Sequence, residues 1–250
     1  MIVTGERVMT AEGGFNPTWQ RHVATYALCA PLLPAGRVLD LGCGVGHSFE
    51  LLAPRATVGV DVEPSVLEAQ QRETVVADMR DLPFEDASFA SVLSVQSIEH
   101  VPDPERVLSQ ARRVLEPDGV AVFVTPNRLT FGAPAEIIDP YHYREYDPEQ
   151  LRSLMAGWFS QVQILGIFGS PRQLEFVAAE HRRLHALLRL DRLRMRRFVP
   201  RRARQILYDT SLTLARRRPN PAAQAIGQED FYLAEDPLQE ALDLVAVVRR

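Results

Sequence analysis

Five short apolar runs set the terms for this chain: "RVLDL", "TVGVDV", "TVVAD", "FASVLSV" and "VAVFVT". A strand that reads as a near-continuous hydrophobic run is buried on both faces, and such strands come from parallel sheets with helices packed on either side. Helical patterns fall between the runs. "GHSFELLA" begins one, and "PSVLEAQQ" places Pro64 in the first turn of another. A third runs from about Pro104 to Leu115, where Pro117 and Gly119 stop it. "DPEQLRSLMAGW" predicts a further helix, and "QVQILGIF" and "ALDLVAVVRR" bring the strands to seven. Residues 18–33 predict an N-terminal helix bounded by Pro31 and Pro34. The expected organisation is an N-terminal helical cover over 1–35, an α/β core over 36–169, a helical insertion over 170–235 and the final strand in 236–250.

Composition removes several alternatives. All 28 basic residues are arginine, so neither a Walker phosphate loop nor a Schiff-base enzyme, each of which needs a lysine, is open to this chain. No apolar run approaches the roughly 18 residues of a membrane span. The polar, acid-bearing start "MIVTGERVMTAEGG" does not read as a secretory signal. Cys29 and Cys43 form neither a disulfide framework nor a zinc pattern, and the expected location is cytoplasmic. Charge is unevenly spread. Residues 171–220 hold 14 arginines against 4 acids, which leaves 14 arginines against 28 acids elsewhere. In that basic segment Leu184, Leu187, Leu188, Leu190, Leu193 and Phe198 share one helical face. Ala203, Ile206, Leu207, Thr210 and Leu214 repeat the pattern after Pro200.

The first strand runs into "LGCGVG", with glycines at 42, 44 and 46. A nicotinamide unit favours G-x-G-x-x-G, not the G-x-G-x-G seen here. A nucleophile elbow would need glycine two residues after Ser48, where Glu50 stands. S-adenosylmethionine is the third reading: it carries a sulfonium, an amine and a carboxylate but no phosphate. Asp61 ends the second strand, where a carboxylate can grip both ribose hydroxyls. Asp78 follows the third strand, where it can accept from an adenine amino group while the Met79 backbone N–H faces a ring nitrogen.

With these residues in place the chain resembles the class I S-adenosylmethionine-dependent methyltransferases. "VLDLGCGVG", "GVDVEP", "VVADMRDLPFEDASFASVLSVQSIEHVPDP" and "RRVLEPDGVAVFVTPN" follow that family's motifs in order, across about Gly36 to Gly169. The resemblance implies a Rossmann-like, seven-stranded, mostly parallel sheet with its last strand antiparallel. It also implies S-adenosylmethionine as cofactor. Asp40, Gly42 and Gly44 would face the methionyl part, Asp61 the ribose, and Asp78 with Met79 the adenine, flanked by Val62 and Leu82.

Acceptor chemistry should lie past the carboxyl ends of strands four and five. "SVQSIEHVPDP" offers Glu99 and His100. It is similar to a metal-binding Glu-x-x-Glu-His stretch of ubiquinone-biosynthesis O-methyltransferases, but Gln96 holds the first position, and no metal is expected. "PYHYREYDPEQ" offers His142 within a run similar to the family's His-x-Arg-Glu-Tyr/Phe. His142 is the first choice for a base or acceptor-orienting group, and His100 the second. From the N-terminal helix Arg21, His22 and Tyr26 could cover the cofactor, with Arg21 pairing the methionyl carboxylate. The basic segment reads as a packed cap, as a lid over an anionic acceptor, or as a membrane-surface contact through 181–218. Nucleic acid is disfavoured, because Phe176, Phe198 and Tyr208 are too few for a stacking platform. The expectation is methyl transfer to a small or medium acceptor, at oxygen first, with nitrogen or a lipid- or nucleotide-linked sugar as alternatives. The rival classes are a nicotinamide-dependent oxidoreductase and a non-catalytic cofactor binder.

Overall fold

The computed structural model describes residues 13–131, 137, 139–190, 200–216 and 220–250. Side chains at 13, 183–190, 201 and 211–216 lie outside the description. Helix α1 (Asn16–Cys29) precedes strands β1 (Val38–Leu41), β2 (Thr57–Asp61), β3 (Glu73–Val76) and β4 (Phe89–Val95). Helix α2 (Pro104–Val114), β5 (Leu115–Pro126), α3 (Pro148–Ala156) and β6 (Gln161–Gly169) follow. Then come α4 (Pro171–Leu190), α5 (Arg201–Arg216), the single turn α6 (Pro221–Gln224), β7 (Phe231–Ala234) and β8 (Asp243–Arg249).

All described strands join one sheet in the order β3-β2-β1-β4-β5-β8-β6-β7. β1 to β5 pair in parallel, and β8 runs antiparallel between β5 and β6. Period-two alternation splits the apolar residues between two cores. Leu39, Leu41, Val92, Ala121 and Phe123 pack with α2 and α3 on one face. Val38, Leu93, Val95, Val120, Val122 and Val124 pack with α1 on the other. In α2, Val107, Leu108, Ala111 and Val114 recur at helical spacing and are fully buried, while Arg112 and Arg113 sit in the last turn beside the negative end of the helix dipole. Asp147 and Gln150 close a capping box on α3.

Three features depart from the expected fold. The sheet has eight strands, because "FYLA" (β7) pairs antiparallel with the edge of β6. It lies inside the segment assigned to the insertion, and four residues are too few for an apolar run to stand out. The helices expected at "GHSFELLA" and "PSVLEAQQ" are short 3-10 turns, Phe49–Leu52 and Pro64–Val66. Pro54 cuts off the first before a helix nucleus can propagate. In the second, Gln70 turns its side chain back to the Gly44 carbonyl at 2.7 Å and β3 starts three residues later. The third departure concerns the basic segment. The stripe from Leu184 to Phe198, with Leu214, lies outside the described side chains. Among the described side chains of α5, Ile206 and Leu207 are exposed, whereas Asp209 is buried. No described helix is long and apolar enough to cross a membrane.

Candidate active site

The carboxyl ends of β1 to β5 converge at the edge where the strand order reverses between β1 and β4, the place where open α/β sheets bind ligands. The chain leaves β1 through Gly42, Gly44 and Gly46, all at positive φ (74°, 53° and 66°), a conformation that glycine enters without steric penalty. A β-carbon on Gly42 would run into Ser97 Oγ, so this turn and the one after β4 are pressed together. The space over Gly44 is open, with no atom within 4 Å of a β-carbon placed there. Asp61 is buried, and accepts from the Gly44 N–H at 3.0 Å through Oδ2 and from the Glu63 N–H at 2.9 Å through Oδ1. One carboxylate thus fixes the glycine turn and the loop after β2 together.

Under the turn lies a charge cluster that the sequence reading missed. Asp40 is fully buried, with Tyr26 Oη donating to one carboxylate oxygen at 2.8 Å and Arg72 Nη2 to the other at 2.7 Å. Burial raises the pKa of Asp40 despite these partners. Gly59 makes the arrangement fit: a β-carbon there would come within 3.0 Å of the Arg72 guanidinium and 2.9 Å of Cys43 Sγ. Asp40, expected to face the methionyl part, is therefore the floor of the turn. Breaking a buried pair strands the remaining charge, so Arg72→Met is expected to lower unfolding stability by about 3 kcal/mol. Urea denaturation measures it.

Past the end of β3, Ala77 N–H donates to the Asp61 carbonyl at 3.1 Å, which sets Asp78 beside Asp61 at the same edge. Arg80 holds the Asp78 carboxylate at 2.7 Å and pulls its pKa down. The Met79 methyl lies 3.1 Å from the β-carbon position of Gly42. Val62 is 64% exposed at this edge, whereas Leu82 is buried in the core. Arg21, read as the partner of a methionyl carboxylate, faces the buried Asp243 at 3.4 Å.

α1 also sets Trp19 on His47, ring centroids 3.9 Å apart, and His22 beside His47 at 4.7 Å. Burial, then the neighbouring His47 and Arg21, lower the pKa of His22 to about 3, and burial lowers that of His47 to about 4. Both rings are neutral in the fold, so between roughly pH 6.5 and 4 the unfolded chain binds more protons. Their contribution is complete above about 6.5 and is lost as pH falls. We expect His22→Phe to flatten the acid loss of stability by about 1 kcal/mol per pH unit. Urea midpoints from pH 7 to 4.5 give the slope.

Past the carboxyl ends of β4 and β5, Tyr143 N–H donates to the Glu99 carbonyl at 2.8 Å and docks the 139–146 loop on the turn after β4. Tyr141 N–H donates to Asp139 Oδ1 at 2.9 Å in a local turn. His142 is brought within 5.0 Å of His100, ring to ring, and its Nδ1 lies 2.9 Å from Glu145 Oε1. Burial works against a proton on His142, but Glu145, Glu99 and Asp139 outweigh it and raise the pKa. Glu99 is 1% exposed, with Oε2 accepting from Thr125 Oγ1 at 3.0 Å. Burial pushes its pKa up to about 7.

Residues 39–123 match the family model described as a methyltransferase domain. A probable S-adenosylmethionine-dependent methyltransferase of Mycobacterium tuberculosis is 36% identical over 69% of this chain and 66% of its own length, just under two thirds of that relative. A second, of Mycolicibacterium smegmatis, is 29% identical over 99% of this chain and 95% of its own. Residues 39–123 are a methyltransferase domain, and the chain is similar over most of its length to S-adenosylmethionine-dependent methyltransferases. The fold of a solved SAM-dependent methyltransferase from Thermotoga maritima superposes with a TM-score of 0.63 at 17% identity, over 94% of this chain and 91% of that one.

The helical segment before β7 reaches the 139–146 loop through α5. Tyr141 Oη donates to Asp209, and Tyr208 donates to Asp139, so α5 holds the loop that carries His142. The sequence signal for this was absent, since 68 residues separate Tyr141 from Asp209. Glu145 was legible only as part of the His-x-Arg-Glu run. An open groove of about 710 Å³ lies along the outer side of that loop, lined by Arg128, Tyr143, Arg144 and Glu145 among others.

Proposed function

We propose that this methyltransferase moves a methyl group to a hydroxyl of a small or medium acceptor bound between the turn after β4 and the 139–146 loop. S-adenosylmethionine supplies a methyl carbon already activated on sulfur, so the protein's work is to align the acceptor and exclude water. The cofactor fits the residues present: the open space over Gly44 gives it room, Asp61 and Asp78 offer carboxylates, and Val62 an uncovered apolar face. Gly42 and Ser97 join the cofactor edge to the acceptor edge, because Ser97 starts the turn that carries Glu99 and His100.

The observation that carries the oxygen reading is the His142–Glu145 pair, buried and 2.9 Å apart. A hydroxyl must lose its proton as its oxygen bonds to the methyl carbon, and an imidazole braced by a carboxylate is suited to receive it. A neutral amine needs no such group. His100, across from His142, supports the acceptor from the opposite loop. Arginines of the insertion favour an acceptor with anionic groups, such as a lipid- or nucleotide-linked sugar. The test is release of S-adenosylhomocysteine over a panel of phenols, sugars and amines, with labelled methyl donor in cell extract to find the natural acceptor by mass spectrometry. Turnover on hydroxyls supports the reading; turnover on amines alone overturns it. Titration with NAD distinguishes the oxidoreductase class, which predicts saturable binding where this reading predicts none.

A further inference from the structure

We propose that Glu99, His100 and His142 form a binding site for a first-row divalent transition ion. The proposal rests on reading this pocket as the acceptor site, and goes beyond it by giving His142 a ligand's role in place of a base's. One ligand atom from each of the three residues lies within 4.8 Å of the other two. Glu99 and His100 come from the turn after β4 and His142 from the loop after β5, so the set exists only in the folded chain. Glu99 is 1% exposed, and its Oε1 is buried with no hydrogen-bond partner in the protein. A buried oxygen left without a partner costs free energy unless something polar or charged meets it there.

Each ligand is also braced from behind, as metal ligands usually are. Thr125 donates to the other oxygen of Glu99, which leaves Oε1 as the oxygen without a partner in the protein. Glu145 engages His142 Nδ1, so that ring presents Nε2. The Tyr141 carbonyl lies 3.4 Å from His100 Nδ1. Two imidazoles and one carboxylate suit zinc, manganese, iron or cobalt better than magnesium or calcium, which prefer oxygen ligands throughout. Three protein ligands leave positions open, and an acceptor's hydroxyl oxygen would take one of them next to the cofactor edge. The sequence reading expected no metal because Gln96 replaces the first glutamate of the motif it considered; the fold supplies a different third ligand from 42 residues further along.

The full-length chain, stripped with chelator and dialysed, is titrated with Co²⁺ and Mn²⁺. Expected are visible absorption bands of histidine-ligated Co²⁺ at one ion per chain and micromolar binding of Mn²⁺. Glu99→Gln and His142→Gln should each weaken binding by on the order of 100-fold, and Thr125→Val by about 10-fold. His22→Phe, in a cluster elsewhere, should leave it unchanged. Millimolar affinity for both ions in the unaltered chain, or affinity indifferent to all three pocket substitutions, overturns the metal site. Full turnover in excess chelator overturns it as well while sparing the acceptor reading. Turnover absent with every ion and every hydroxyl overturns the acceptor reading, though Co²⁺ bands would still report the site.

Discussion

Asp61→Ala is expected to weaken S-adenosylhomocysteine binding by at least on the order of 100-fold. The carboxylate does two jobs at once. It faces the edge where the ribose would sit, and hydrogen bonds from two hydroxyls to a charged group contribute about 3 kcal/mol together. It also holds the Gly44 and Glu63 amides at 3.0 and 2.9 Å, so alanine frees the turn that shapes the pocket. Asp61→Asn keeps an oxygen for one of these bonds and should fall between the two. Calorimetry of the three proteins, with circular dichroism to confirm that the sheet is intact, gives the comparison. An unchanged Kd in a folded Asp61→Ala variant would remove Asp61 from the cofactor site.

The second large effect falls on turnover. His142→Gln is expected to reduce the rate on a hydroxyl acceptor by about 10²- to 10⁴-fold, the loss expected whether its imidazole takes the hydroxyl proton or holds an ion against the hydroxyl oxygen. S-adenosylhomocysteine affinity should stay within about twofold. The separation follows from position, because His142 belongs to the loop after β5 while Asp61 and the glycines belong to β1 and β2. Glu145→Gln should produce a smaller fall, since the imidazole keeps its place but loses the charge behind it. A variant that turns over normally would place the chemistry elsewhere, and one that also lost cofactor affinity would make His142 a structural residue of the whole edge.

The parallel core was legible because its strands are buried on both faces and therefore read as uninterrupted apolar runs. Asp61, the glycine turn and Met79 were legible because they sit next to strand ends, where sequence distance and spatial distance agree. Long-range pairings were not. Arg72 reads as a surface residue between a turn and a strand, and only the space left by Gly59 lets it reach Asp40. Arg21 appeared available to a ligand until β8, more than 200 residues later, brought Asp243 to it. The two misread crossovers share one cause. Helical periodicity over eight residues says nothing about whether a proline or an early strand leaves room for a second turn. The Glu99–His100–His142 cluster was half visible, since two of its members adjoin and the third arrives through backbone bonds from Tyr143 and Arg144 to Glu99.

Crystals of the chain grown with S-adenosylhomocysteine would probe the pocket itself. Density should place the ribose hydroxyls within hydrogen-bonding reach of Asp61 and the base between Val62 and Met79. The sulfur should point across Ser97 toward His100 and His142. Adenosine bound at another edge of the sheet, or a sulfur turned away from those histidines, would contradict the site described.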